Sequence, residues 1–185
     1  MTLGVLLMTE RNEIFDSDNA PNLCGDLDIR IDRSGVWFHE GRPINRISLV
    51  KLFSSVLQRD KHGQYWLVTP AEQVRIQVDD APFVVINMQA SGAGDKQVIE
   101  LETNLSDKVV VSSDNPIIFK NRNDSELSPY LIMRNGHEAL ILRQVWYELA
   151  EYFIEISGEG KKTSGVWSSG IFFSYKPKES DLIAR

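Results

Sequence analysis

The chain has 185 residues, 42% of them hydrophobic and 25% charged, and 20 basic against 26 acidic side chains leave a net charge of −6. At this length one domain, or two small ones sharing a contact surface, can bury a core without disulfides or metals. The longest basic run is Lys161-Lys162, and acids are interspersed with the bases, which argues against a phosphate-neutralising surface for nucleic acid and against attraction to anionic membranes.

The lone Cys24 cannot close an internal disulfide, as expected of a protein kept in a reducing cytoplasm. Leu3 to Met8 is an apolar run with no basic residue before it. It is too short for a cleavable signal or a bilayer span. Residues 1–22 are therefore expected to form a flexible, loosely held arm.

From Asp26 to Asp32 polar and apolar residues alternate, with Leu27, Ile29 and Ile31 on one face, which predicts a half-buried strand. Arg33-Ser34-Gly35 supplies a turn and Val36 to Glu40 the returning strand. Asn45 stands where an N-cap belongs. Leu49, Leu52, Phe53 and Val56 then predict the inward face of a helix over about 46–59, with Ser48, Lys51, Ser55 and Arg59 opposite. Lys61-His62-Gly63 breaks that helix, and two strands follow over 64–69 and 72–78. Asp79-Asp80-Ala81-Pro82 reads as a boundary between an N-terminal α+β domain (23–80) and a strand-rich C-terminal domain (81–185).

In the second part, strands are expected over 83–90, 97–103, 109–112, 117–120 and 130–134, with a Ser91-to-Asp95 turn after the first. Short strands in such succession suggest an antiparallel sheet that curves or closes like a barrel. Leu142, Val145, Trp146, Leu149, Ala150 and Phe153 form the apolar stripe of a helix over about 142–156. A loop over 158–165 and a terminal strand over 166–175 complete the reading, which is of an α+β protein without internal repeat.

Three strings together mimic a serine acyl-enzyme: Ser48-Leu49-Val50-Lys51, Ser113-Asp114-Asn115 and Lys162-Thr163-Ser164-Gly165. With 17 Ser and 9 Lys in the chain, about one S-x-x-K is expected by chance. Ser164 also stands where that chemistry needs a glycine, so no catalytic residue is assigned. Metal binding would need His39, Glu40, Asp79 and Asp80 to meet, which their spacing does not require. Asp16 to Pro21 fails as a calcium loop because Ala20 and Pro21 occupy its fifth and sixth positions. Gly92-Ala93-Gly94 lacks the third glycine and the following helix of a nucleotide cradle. No metal and no cofactor are expected.

More persuasive is a binding constellation. Trp37, His39, Glu40, Arg42 and Arg46 lie within ten positions at a hairpin-to-helix junction, which offers an aromatic face and guanidinium groups for a small anionic or mixed-polarity ligand. Asp79 and Asp80 stand at the boundary, and Arg134, His137, Glu138 and Trp167 form a comparable set in the second half. The bland alternative is that these Arg and acid residues pair with each other and the Trp rings fill core edges.

The phrases Gly25-Asp-Leu-Asp-Ile-Arg-Ile-Asp32, Trp37-Phe-His-Glu-Gly-Arg-Pro-Ile44, Arg134-Asn-Gly-His-Glu-Ala-Leu140 and Gly165-Val-Trp-Ser168 closely resemble an uncharacterised bacterial family, domain of unknown function 1285, over about 22–175. The resemblance implies a small two-domain α+β protein associated with ligand binding or signalling, and it transfers no residue roles. The expectation is thus a non-enzymatic module that binds a small ligand or acts in signalling. A Ser48/Lys51 or His39-centred hydrolase is one alternative. A protein-interaction adaptor using Glu148, Glu151 and Glu155 is the other.

Overall fold

The computed structural model describes residues 23–121, 127–158 and 161–175, so the expected arm of residues 1–22 lies outside the described residues. The first half contains strands β1 (Leu23–Ile31), β2 (Trp37–His39) and β3 (Arg42–Pro43), helix α1 (Ile47–Ser55), and strands β4 (Leu57–Arg59), β5 (Tyr65–Val68) and β6 (Gln73–Val78). They form one sheet in the order β3-β2-β1-β6-β5-β4. Neighbours are antiparallel except at the centre, where β1 and β6 run parallel with Arg30 opposite Gln77 and Ile31 opposite Val78.

Turn chemistry sets these strands in register. Asp32 Oδ1 accepts the Ser34 and Val36 amides at 2.9 and 3.0 Å, which shapes the β1–β2 turn. Glu40 and Gly41 both have positive φ, 49° and 73°, the requirement of a tight two-residue hairpin. At the β4–β5 turn the buried Asp60 carboxylate accepts the His62 and Gln64 amides and the Trp66 indole N–H.

The second half holds β7 (Phe83–Ser91), β8 (Val98–Thr103), β9 (Lys108–Val110), β10 (Ile117–Asn121), β11 (Leu127–Ile132) and β12 (Glu138–Ile141), followed by α2 (Arg143–Ala150). Their order is β10-β11-β12-β7-β8-β9, again antiparallel except for the central pair, in which Leu140 of β12 lies opposite Val84 of β7 in parallel. Read from the other edge, this is the topology of the first sheet: three strands out, a crossing, three strands back, and the last strand seated beside the first. The repeat exists in topology, although the sequence shows none.

Strands β9 and β10 point the same way from opposite edges of this sheet, yet only Val111 to Pro116 joins them. Fully extended, that link reaches at most about 25 Å. Crossing five strand spacings of a flat sheet takes about 24 Å, before any return along the strands. The link also folds on itself, since the Ser112 N–H donates to Asn115 O. The sheet therefore curls until its edges approach, without closing.

Strands β13 (Ile154–Gly158), β14 (Lys161–Ser168) and β15 (Ile171–Ser174) make a small antiparallel third sheet. It docks on β8, where Ser168 Oγ accepts the Ile99 amide and donates to Val111 O. Phe119, Trp146, Phe153 and Tyr175 pack their rings together and join β10, α2 and this sheet. One hydrophobic core runs from Ile29 and Ile31 in the first half through Leu101, Leu131 and Leu149 to Phe173.

The architecture is α+β, and several elements differ from the sequence reading. Helix α1 stops at Ser55, where the Ser54 and Ser55 hydroxyls turn back to Lys51 O and Leu52 O. Leu57 to Arg59 are then free to extend as an edge strand. Arg46 rather than Asn45 precedes the helix, with no side-chain cap. Its inward face is also rotated: Val50 is buried while Leu52 is 60% exposed, because Phe53 stacks on the buried Trp37 at 6.1 Å and fixes the roll of the helix. Helix α2 is shorter than its apolar stripe, since Ile154 begins β13, and residues 161–165 are strand rather than loop.

Gly92 has φ +75°, and a Cβ built on it would sit 2.4 Å from Lys96 O. Gly94 has φ +59° and open space around it. Gly94→Ala should therefore cost only the left-handed backbone penalty of about 1–2 kcal/mol. Gly92→Ala should cost clearly more, because the β7–β8 turn must distort as well. Urea unfolding midpoints of the two variants measure the difference.

Candidate functional site

Where the two halves meet, a cleft of about 1000 Å³ opens. The first half contributes the end of α1 (Lys51, Ser54, Ser55) and Leu57. The second contributes Phe83, Leu105 and Asp107, the Asp114-Asn115 turn, and the segment Ile132 to His137. Its walls are mixed: Leu57, Phe83, Leu105, Ile132 and Met133 are apolar, Lys51 and Arg134 are cationic, and Asp107 and Asp114 are acidic. Asn135 and Gly136, with φ 61° and 70°, carry the exposed rim.

His137 is the most buried polar residue of the lining, 6% exposed, between the rings of Tyr65 and Phe83. Its Nε2 lies 3.0 Å from Leu57 O. A carbonyl only accepts, so Nε2 carries the proton and Nδ1 presents a bare lone pair. Burial pushes its pKa down from the usual 6.5; the bond to Leu57 opposes this and the Arg59 charge adds to it, so the ring is neutral.

Behind His137 the halves are joined by charge. Glu138 Oε1 accepts Arg59 Nη1 from β4 at 2.9 Å and Lys120 Nζ from β10. Each cation also lies over a tyrosine ring: Arg59 over Tyr65 at 5.6 Å and Lys120 over Tyr130 at 5.3 Å. Tyr130 in turn donates its hydroxyl to Asp80 at 2.8 Å. Burial alone would raise the Glu138 pKa, but the hydrogen bond and charge of Lys120, joined by Arg59, outweigh it and hold it below the usual 4.5. Burial raises that of the Tyr65 phenol strongly, against the opposing charge of Arg59. A second cavity of about 700 Å³ borders this seam and is lined by Arg59, Tyr65, Arg75 and Asp80 among others.

Of the residues singled out in the sequence, Arg134 lines the cleft, Asp80 lines the second cavity, and Glu138 anchors the seam between them. The hairpin set does not converge on either. Trp37 is 1% exposed and belongs to the core, while His39, Glu40, Arg42 and Arg46 are exposed at the opposite, β3 edge of the first sheet. Asp79 is held by Arg30 Nη1 at 3.1 Å. Trp167 packs on Phe172 in the third sheet.

The acyl-enzyme strings are only partly assembled: Lys51, Asp114 and Asn115 line the cleft, Ser48 does not, and Lys162 to Ser164 lie on β14. Among the described residues no three His, Cys, Asp or Glu side chains are grouped to hold a metal. No described helix is long and apolar enough to cross a membrane.

Sequence reasoning missed Arg59, Tyr65, Lys120 and Tyr130. The available signal was a charge closing or opening an otherwise apolar strand, as in Ile117-Ile-Phe-Lys120 and Glu138-Ala-Leu-Ile141, since such charges are seldom buried without a partner.

Residues 17–81 match the N-terminal domain of the family described as domain of unknown function DUF1285, and residues 82–175 match its C-terminal domain. The chain belongs to the DUF1285 family. The crystal structure of a DUF1285 family protein from Silicibacter pomeroyi DSS-3 is similar at 42% identity and a TM-score of 0.77, covering 87% of this chain and 86% of that one. A DUF1285 family protein from Shewanella baltica OS155 shares the fold at 23% identity and a TM-score of 0.53, over 68% of this chain and 91% of that one. No curated protein matches the chain.

Glu138→Gln tests the seam. Removing a fully buried partner from such a pair costs roughly 3–5 kcal/mol. About 2 kcal/mol is expected here, because the Arg59 side chain keeps 35% of its surface exposed. Since folding lowers this carboxyl's pKa, its contribution is complete above the usual 4.5 and is lost as pH falls through the folded-state value. Urea midpoints of wild type and variant should therefore differ at about pH 7 and converge as pH falls through the folded-state pKa of Glu138.

Proposed function

We propose that the protein is a non-enzymatic module that binds a small molecule of mixed polarity in the cleft between its halves and couples occupancy to their relative position, as a sensory or signalling component would. The observation that carries this reading is the cleft itself: about 1000 Å³, built from both halves, with a mixed lining more polar than apolar and charged groups of both signs. Small-molecule sites favour such junctions. A ligand seated there touches both halves at once, so its binding energy acts on their arrangement.

The lone Cys24 and the net charge of −6 fit a cytoplasmic protein whose partner is not nucleic acid. A hydrolase reading has less support, because Ser48 stands apart from the cleft that Lys51 and Asp114 share.

Native and denaturing mass spectra of the untagged protein purified from its own cells are the direct test. An excess mass present only in the native spectrum identifies the ligand, and a bare native mass counts against the reading. Lys51→Ala and Arg134→Ala alter exposed side chains and should change stability by no more than about 0.5 kcal/mol. Both should abolish the excess mass. Retention of that mass in both variants would place the ligand elsewhere.

A further inference from the structure

Among the described residues, four charged side chains of the cleft make no ion pair: Lys51 and Arg134, and Asp107 and Asp114. Lys51 is carried on α1, Arg134 on the turn after β11, Asp107 on the turn before β9, and Asp114 on the link into β10. The lining they share also includes the buried Leu57 and Phe83 and the half-buried Met133, the apolar contacts open to a hydrocarbon group.

His137 gives a second, independent indication. It is more than nine-tenths buried, its Nε2–H is committed to Leu57 O, and its Nδ1 meets no donor among the described residues. A buried acceptor without a donor costs free energy, and a ligand N–H removes that cost.

From these observations we infer that the ligand is a zwitterion of the α-amino acid or short peptide class. Its carboxylate is held by Lys51 and Arg134, its ammonium group lies toward Asp107 and Asp114 and donates to His137 Nδ1, and its apolar side chain rests on Leu57, Phe83 and Met133. The inference rests on the binding reading above and specifies its chemistry. Nδ1 is covered in the structure, so the donor contact forms only as the lining around His137 shifts to admit the ligand.

The test is titration of the ¹⁵N-labelled full chain with L-leucine, L-phenylalanine and their dipeptide, followed by the N-trimethyl betaine and the methyl ester of whichever binds. The betaine keeps both charges but has no N–H donor, and the ester loses the anionic end. The expected result is a shift of the His137 Nδ1 resonance with the zwitterion and binding at least about tenfold weaker for both derivatives. Asp107→Asn with Asp114→Asn should weaken the zwitterion similarly.

Equal affinity for the betaine, or an unmoved Nδ1 resonance, overturns the donor contact. Equal affinity for the ester overturns the carboxylate site. If none of the three compounds moves cleft resonances, the zwitterion class is wrong. The binding reading falls separately, on a native mass spectrum with no bound mass.

Discussion

In each of the two larger sheets the last strand lies parallel beside the first, and much of the molecule follows from that constraint. Hairpins only reverse direction, so three strands out and three back leave β3 and β4, or β9 and β10, at opposite edges pointing the same way. The chain must then cross from edge to edge. The first sheet crosses with α1, whose last turn becomes one wall of the cleft. The second crosses with a short link, and the sheet curls so that the link can reach. Asp114 and Asn115 sit on that link, which brings them into the lining that Lys51 also joins. The two solutions to one topological problem thus both supply parts of the cleft.

The two sheets are held together by few polar contacts and a shared core. Glu138 opens the central strand β12 and gathers one cation from each sheet, so its carboxylate is satisfied only when both sheets are in place. Asn104 works in the same sense, donating to Gly35 O across the halves at 3.1 Å. Apolar packing tolerates small sliding, whereas a carboxylate with two designated donors does not. The charged seam therefore fixes the register of the halves, and the continuous core supplies most of the attraction between them.

The fold class and most strands were legible in the sequence because they are half-buried. In β1, Ile29 and Ile31 point inward while Asp28 faces solvent, and that alternation survives in the one-dimensional pattern. Strand β12 was not legible for the opposite reason: Glu138 to Ile141 are buried on both faces, and a short continuous apolar run next to Leu142 reads as the start of a helix. The rotation of α1 was hidden because it depends on Trp37, which comes from a different element.

The candidate site was legible in part for a related reason. Arg134 stands out in a turn, but the cleft joins Lys51 to Asp107, Asp114 and His137 through pairings that no sequence spacing records. Local chemistry is written along the chain, while the meeting of two edges is a property of topology.

The order of strands also sets when each sheet becomes complete during synthesis. Strand β6 ends at Val78, so every strand of the first sheet is synthesised before any strand of the second. Strand β7 then emerges as the centre of a sheet whose other central strand, β12, is more than fifty residues away. Pairings so distant in sequence form slowly, and until they do a fully apolar edge at Phe83 to Val85 is uncovered. The first sheet, joined to that edge by only four residues, lies next to it along the chain.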